Sequence, residues 1–455
     1  FTRNSLKIQS TSRHKILPNN KKLAYGEIPT LLPLMNGENR TKQANMEVNM
    51  AFDYQSFKNE FPYFKSPNAV VYLDNAATTR PFSEVCDLVT RVMYEDFGNP
   101  SSLHMKGVIA ERYVRQAREQ IAKTLKCAAK NIVFTSGGTE SNNMALIGSA
   151  LANARAGKHI ITTCFEHAAV YEPLLYLEKM GYEVTYLPVD SMGHVSEETL
   201  ENALRKDTIL VSTMLVNNEV GAILDVEKFS KIVKAFNKDI IFHVDAIQAY
   251  GKMNIYPKRM GIDLLSVSGH KIHGPKGTGF LYVGDKVKIH PYIHGGGQQQ
   301  GMRSGTENVP GIAGLSLAAE KMYANLEENR KHLYELKQYF VSHIGEVDGA
   351  VVNACDASAV EETAPHIVSV SFDGVRSEVL LHALEEKEIY VSSGSACSSN
   401  HPGISGTLKA IGVANERLDC TLRFSFSVET QIEQLKQTIT ELKQLVPVLA
   451  RYTRR

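Results

Sequence analysis

The chain has no apolar run near the ~20 residues that a membrane-spanning helix requires. It has no excess of one charge: 50 Lys and Arg stand against 49 Asp and Glu, a formal net charge of +1. Nothing global therefore argues for binding to nucleic acid or to a membrane surface. Its six cysteines, Cys86, Cys127, Cys164, Cys355, Cys397 and Cys420, form no CxxC pair and no disulfide-framework spacing. That set suits a reducing compartment, with thiols that are buried or reactive rather than paired. A glycine turn at 135–140 is not followed by Gly-Lys-Ser/Thr, which excludes a P-loop.

What is present is a globular chain with an unlike beginning. Of 455 residues, 43% are hydrophobic and 22% charged, enough for a sizeable core. The first fifty or so are polar and irregular, leaving about 400 for two domains or one large domain with an appendage. Up to Lys22 they carry Arg3, Lys7, Arg13, Lys15, Lys21 and Lys22 and no acid. That composition resembles an organelle transit peptide. A disordered extension, or sequence upstream of a start at Met46 or Met50, accounts for it equally well. Residues 1–50 are therefore expected to be a disordered or targeting-like extension. The expected compartment is the cytoplasm, or the mitochondrion if the extension is a transit peptide.

From Ala51 the pattern changes. An aromatic-rich segment, Phe52 to Phe64, leads to a short strand, Val70 to Leu73, and a loop, Asp74-Asn75-Ala76-Ala77-Thr78-Thr79. Helical spacing follows, with Val85, Leu88, Val89 and Val92 on one face and then Val114, Ala117 and Ile121. Strand-like runs then alternate with helical ones. The strands are expected at Ile132–Thr135, His159–Thr162, Glu183–Leu187, Thr208–Met214, Ile240–Val244, Leu264–Val267 and Gly279–Val283, with helices such as 141–153, 168–180 and 225–236 between them. This alternation predicts an α/β fold, a mostly parallel sheet with helices on both faces. A long helix is predicted from Gly311 to about Ile344. Strands at His366–Phe372 and Leu422–Phe426 and a helix at 428–450 predict a smaller α+β domain. The expected divisions are an N-terminal segment at 51–77 packing with the small domain, a large domain at 78–310, the connecting helix at 311–344 and the small domain at 345–455.

The residues with chemical potential follow strand ends. Lys271, in Ser268-Gly269-His270-Lys271, comes after the apolar segment Ile262 to Val267 and before the glycine turn at 274–279. Open α/β sheets bind ligands at the carboxyl ends of their strands. A lysine there, with a serine and a histidine to hold a phosphate, is what pyridoxal 5′-phosphate (PLP) requires, because its aldehyde is kept as a Schiff base. Alone, the segment reads better as a solvated loop lysine. Thr135-Ser136-Gly137-Gly138-Thr139-Glu140 opens a helix whose free amides suit a phosphate, but such turns are common. Asp245, at a strand end with Gln248 after it, can pair with a pyridinium nitrogen or cap the next helix. It lies 26 residues before Lys271, the span of one strand–crossover–strand unit. His167 follows another strand and is placed to stack on a cofactor and relay protons in catalysis or to sit half-buried at a helix start. His290 and His294 are four apart, but Pro291 and nearby glycines argue against a metal-binding helix. Cys397, in Ser392-Ser393-Gly394-Ser395-Ala396-Cys397-Ser398-Ser399-Asn400, has the small, polar surroundings of a reactive thiol rather than a core cysteine. Arg423 can hold a substrate carboxylate through two hydrogen bonds or form a surface ion pair.

In order and spacing these segments resemble the cysteine desulfurases of the NifS/IscS type, which share the aminotransferase-like fold of PLP enzymes. The resemblance runs over about residues 70 to 450, through YLDNAATT at 72–79, FGNPSSLH at 97–104, TSGGTESNN at 135–143, EHAAV at 166–170, VNNEVG at 216–221, HVDAIQAYGK at 243–252, SGHKIHGPKG at 268–277, GGGQQQGMRSGTEN at 295–308 and SSGSACSS at 392–399. It implies a mostly parallel seven-stranded sheet flanked by helices, with a smaller α+β C-terminal domain. It implies removal of sulfur from L-cysteine, giving L-alanine and a persulfide on Cys397, for iron–sulfur cluster assembly or for tRNA or cofactor thiolation. By the same resemblance Lys271 holds PLP and moves protons at the substrate's α-carbon. Asp245 binds the pyridine nitrogen, Gln248 the ring hydroxyl, and His167 stacks on the ring. Gly138, Thr139, Ser268 and His270 hold the phosphate. Thr306 reaches the phosphate of a second subunit, which implies a homodimer with shared sites. Asn218, beside the cofactor, and Arg423 hold the substrate carboxylate, and His104 lies near the substrate. The implied partner is a protein sulfur acceptor, an iron–sulfur scaffold or a tRNA-thiolation enzyme, with no membrane and no direct nucleic-acid binding.

The pattern departs from the family in places. The chain ends at Arg454-Arg455, without the longer tail that some members use to dock an iron–sulfur scaffold. SACSS, rather than SACTS, resembles members that serve tRNA thiolation or other acceptors. Phe52 to Phe64 resembles the start of the SufS-like branch, whereas the long cysteine loop does not. Selenocysteine lyase, or another β-lyase of the same fold, is the alternative activity, and there Cys397 is dispensable. A non-catalytic scaffold is disfavoured by Lys271, Asp245 and Cys397 together.

Overall fold

The computed structural model of the protein describes residues 70–393 and 405–453. Contacts divide the chain into Phe1–Lys65 and Ser66–Arg455, and every described residue belongs to the second unit. The N-terminal extension, the segment Phe52 to Phe64 and Cys397 lie outside the described residues.

The strands, in chain order, are β1 (Val71–Tyr72), β2 (Ile132–Thr135), β3 (His159–Thr163), β4 (Glu183–Leu187), β5 (Thr208–Met214), β6 (Ile241–Asp245), β7 (Leu264–Ser268), β8 (Gly279–Val283), β9 (Ala350–Asn353), β10 (Ile367–Phe372), β11 (Ile389–Tyr390), β12 (Ser392–Ser393) and β13 (Thr421–Ser425). Seven form the main sheet, in the order β2-β8-β7-β6-β5-β3-β4. β8 runs antiparallel to β2 and β7, and every other pair is parallel. With one strand reversed, the carboxyl ends of β2, β3, β5, β6 and β7 share one edge, where a doubly wound sheet takes its ligand.

β5, β6 and β7 are buried along their whole length, as strands covered on both faces must be. Alternation decides which layer each residue enters. Phe134 packs into the core with the helices Ser83–Tyr94, Met105–Thr124 and Val309–Ala324, while Val133 packs into the opposite core with Gly138–Asn153 and Ala168–Lys179. Polar side chains inside the sheet satisfy one another. His243 bonds Ser212 Oγ through Nδ1 (2.8 Å) and Ser266 Oγ through Nε2 (3.0 Å), and burial lowers its pKa to about 3.

The long helix expected from Gly311 is two helices, Val309–Ala324 and Leu326–Ile344. Asn325, at φ −124° and ψ 32°, ends one and begins the other. The first starts before Gly311 because Asn308 caps it, accepting from Gly311 N–H, with Pro310 in its first turn. Apolar periodicity continues across Asn325, so it could not reveal the break.

A second, antiparallel sheet has the order β12-β13-β10-β9. Leu326–Ile344, Ser377–Glu385 and Ile432–Thr453 share a core with it. β1 pairs in parallel with β11. Past β1 the chain is fastened to β13: Asn75 Nδ2 donates to Ser425 O at 3.0 Å, and Ala76 N–H to Ser425 Oγ at 2.8 Å. No described helix is long and apolar enough to cross a membrane.

Candidate active site

Loops at the carboxyl edge of the main sheet enclose a cavity of about 200 Å³. Gly138 and Thr139 reach it after β2, His167 after β3, Asn218 after β5, Asp245 and Gln248 from the end of β6, and Ser268, His270 and Lys271 from the end of β7. Ala76 lines it from the loop after β1.

Lys271 closes the short turn Gly269–Lys271. Its Nζ donates to the carbonyls of Ala76 (2.6 Å) and Ala77 (2.7 Å). The loop carrying them is tied to the same turn: Thr79 N–H and Oγ1 both donate to His270 O, at 2.8 and 2.9 Å. His270 Nδ1 lies 3.1 Å from Thr78 Oγ1. Burial, and then the charge of Lys271, lower the His270 pKa to about 4, so its ring is neutral at pH 7. A second amine adjoins this turn: Lys252, 6% exposed, donates Nζ to Lys271 O at 2.9 Å. Burial, and then Lys271, bring its pKa down to about 7.

Asp245 accepts from two neutral donors, Ile247 N–H on Oδ1 (2.9 Å) and Asn142 Nδ2 on Oδ2 (2.8 Å). Burial raises its pKa. Glu166 is a second carboxyl in this neighbourhood. Its Oε1 accepts from Thr163 Oγ1 (2.6 Å) and Met214 N–H (3.0 Å), while its Oε2 touches neither solvent nor partner. Burial, with the charge of Asp245 adding to it, pushes the Glu166 carboxyl up to about 8. Folded protein then holds a proton on Glu166 that unfolded chain releases near the ordinary carboxyl value of 4.5. Stability should accordingly fall as pH rises through the interval between these values. Glu166→Gln, neutral throughout, should flatten that part of the melting-temperature profile by about 1–3 °C. The slope is the readout, and an unchanged slope counts against a protonated Glu166.

His167 caps the helix Ala168–Lys179, accepting Ala169 N–H on Nδ1 at 3.0 Å, which leaves the proton of the neutral ring on Nε2. The helix Gly138–Asn153 presents its amino terminus to the same cavity. A Cβ on Gly138 would meet Ile247 Cδ1 at 2.1 Å, so a larger residue there would have to push the Ile247 side chain aside.

These features suit a flat aromatic aldehyde with an anionic tail and a protonated ring nitrogen. An amine faces the cavity on one side. The buried carboxylate, hydrogen-bonded only by neutral donors among its described partners, is stabilised by a cationic N–H. A helix amino terminus takes an anion.

Other expected residues are not among the described residues that line this cavity. Arg423, 2% exposed on β13, donates Nη1 to Asn218 O (2.8 Å) and Nη2 to Asp74 Oδ1 (2.8 Å), and its buried Nε has no partner. The surface ion pair considered for it is thus a buried junction of three segments. His104 is exposed and caps Met105–Thr124, accepting Gly107 N–H on Nδ1 at 3.4 Å. Thr306 is exposed. Cys397 lies outside the described residues.

Sequence reasoning missed Ala76, Ala77, Asn142, Glu166 and Lys252. All fall inside segments quoted for the resemblance, so the signal was present in them without a role attached.

The class-V aminotransferase family model matches residues 71–438. The chain is 44% identical over 379 residues to the cysteine desulfurase IscS of Dictyoglomus turgidum, covering 83% of this chain and 95% of that protein. It superposes on a solved NifS-like protein with a TM-score of 0.78 at 38% identity, covering 84% of this chain and 100% of the other. A structure described as SspA in complex with cysteine matches with a TM-score of 0.69 at 34% identity, covering 79% and 100%.

Proposed function

Because this chain belongs to the class-V aminotransferase family and is a cysteine desulfurase, we propose that its cavity holds PLP and that Cys397 receives the sulfur of L-cysteine, which leaves as L-alanine. The observation that carries this reading is a lysine and a buried aspartate, the latter hydrogen-bonded by neutral donors, lining one cavity at the carboxyl edge of a parallel sheet. When bound, PLP supplies an electron sink for the substrate's α-carbon.

Lys271 holds the cofactor and moves a proton at that carbon. Asp245 accepts the ring N–H, Gln248 meets the ring oxygen and His167 lies against the ring. Gly138, Thr139, Ser268 and His270 take the phosphate. Asn218 and Arg423 hold the substrate carboxylate, Arg423 being oriented by Asp74. The Cys397 thiolate attacks the substrate sulfur: the S–S bond forms as the C–S bond breaks, and a proton returned to carbon completes alanine.

We also read the chain as a homodimer. Thr306 would serve the phosphate of a second copy, and His104 would lie at a site completed by that copy. In support, the segment around His104 exposes Tyr94 (84%), Phe97 (71%), Leu103 (99%) and Met105 (69%), which a monomer would leave in water. The division into a large part at 78–310, a connector at 311–344 and a small part at 345–455 belongs to the same reading. So does transfer of the persulfide to an iron–sulfur scaffold or a tRNA-thiolation enzyme in the cytoplasm, or in the mitochondrion if residues 1–50 act as a transit peptide.

The test is chemical. Protein loaded with PLP is reduced with borohydride, digested and mapped by mass spectrometry, and in parallel is given L-cysteine or L-selenocysteine. The cofactor should be fixed on Lys271, and alanine should form from L-cysteine in step with persulfide. Cofactor fixed on Lys252 instead, or alanine formed only from L-selenocysteine, would overturn the assignment.

A further inference from the structure

His366 is 1% exposed and immediately precedes β10, at the centre of the second sheet. Its Nε2 lies 3.2 Å from Gln248 Oε1. Gln248 in turn donates Nε2 to Ala76 O at 2.9 Å. A backbone carbonyl only accepts, so the NH₂ side of the amide must face Ala76 and its oxygen must face His366. The His366 atom at that contact must then carry a proton. Nδ1 is left bare, and it is buried without a partner. Burial, and then the charge of Lys252, keep this ring neutral. The other charges acting on it are Lys337, Arg423 and Lys271. Each of these four charges disfavours a second proton on the ring, so the single-proton form persists.

We infer that His366 is a positioning residue: by donating Nε2–H to Gln248 Oε1 it fixes the amide with one N–H on Ala76 and the other available to the cavity. This rests on the PLP reading above, in which Gln248 meets the ring oxygen. A donor held there draws electron density from that oxygen and makes the cofactor's imine nitrogen a weaker base. The strand that follows His366 pairs with β13, which carries Arg423 and also pairs with β12 at the root of the cysteine-bearing segment. The second sheet therefore touches both the substrate-carboxylate residue and the electronics of the ring.

The experiment loads wild type, His366→Leu and His366→Asn with PLP and titrates the visible absorbance of the bound cofactor against pH. His366→Leu should raise the midpoint by about half a unit to one unit, a three- to tenfold change in proton affinity, and weaken PLP binding by a similar factor. His366→Asn, which keeps an N–H donor, should return the midpoint most of the way. His366→Met replaces the leucine variant if that one does not fold. A structural role alone would lower the melting temperature and leave the midpoint unmoved, and that result overturns the proposal. So would a leucine-sized shift in His366→Asn. Absence of a visible band in wild type would instead overturn the PLP reading itself.

Discussion

Lys271→Ala should lose the visible band given by PLP and lower alanine formation from L-cysteine by about a thousandfold or more. The effect is large because one amine both tethers the cofactor and carries the proton at the α-carbon. Lys252 should not substitute, since it is buried and its Nζ is bonded to the Lys271 carbonyl. The variant should still fold, because the removed side chain is half-buried and its described hydrogen bonds go to two carbonyls of one loop. Spectra, alanine yield and melting temperature measured together separate lost chemistry from lost structure. A Lys271→Ala protein that keeps the band with unchanged intensity would remove the cofactor assignment.

Cys397→Ser should bind PLP and L-cysteine as wild type does, yet form persulfide and alanine at least on the order of a hundredfold more slowly. Attack on a soft sulfur requires a thiolate, and a serine hydroxyl is not ionised near pH 7. Three of the other thiols are poor substitutes. Burial pushes Cys127 and Cys420 up to about 11 and raises Cys164 as well. Trapping with a fluorescent alkylating agent, followed by reduction, counts the persulfide directly. Undiminished alanine release by Cys397→Ser would favour the β-lyase reading, in which this thiol is dispensable.

Much of the main sheet was legible because its strands are short apolar runs between helices of regular spacing. β2, β4, β5 and β8 fall at the residues predicted for them, and β3, β6 and β7 differ by a residue at one or both ends. The break at Asn325 was not legible, since polarity does not report backbone dihedrals. β9 and the helix Ser377–Glu385 also went unread, in a part of the chain where the elements are short and varied.

At the site, the sequence by itself determined which residue types stand at the ends of β6 and β7, because local apolar runs place Asp245 and the Ser268–Lys271 turn there. Only the tertiary structure decided what surrounds them. Lys271 meets carbonyls 194 and 195 positions away, Arg423 meets an acid 349 positions away, and Gln248 meets a histidine 118 positions away. Such contacts depend on how the strands and the second sheet close around the cavity, and no local propensity encodes them. The shifts at Glu166, Lys252 and His366 belong to the same category, because burial causes them and burial exists only once the whole chain has packed.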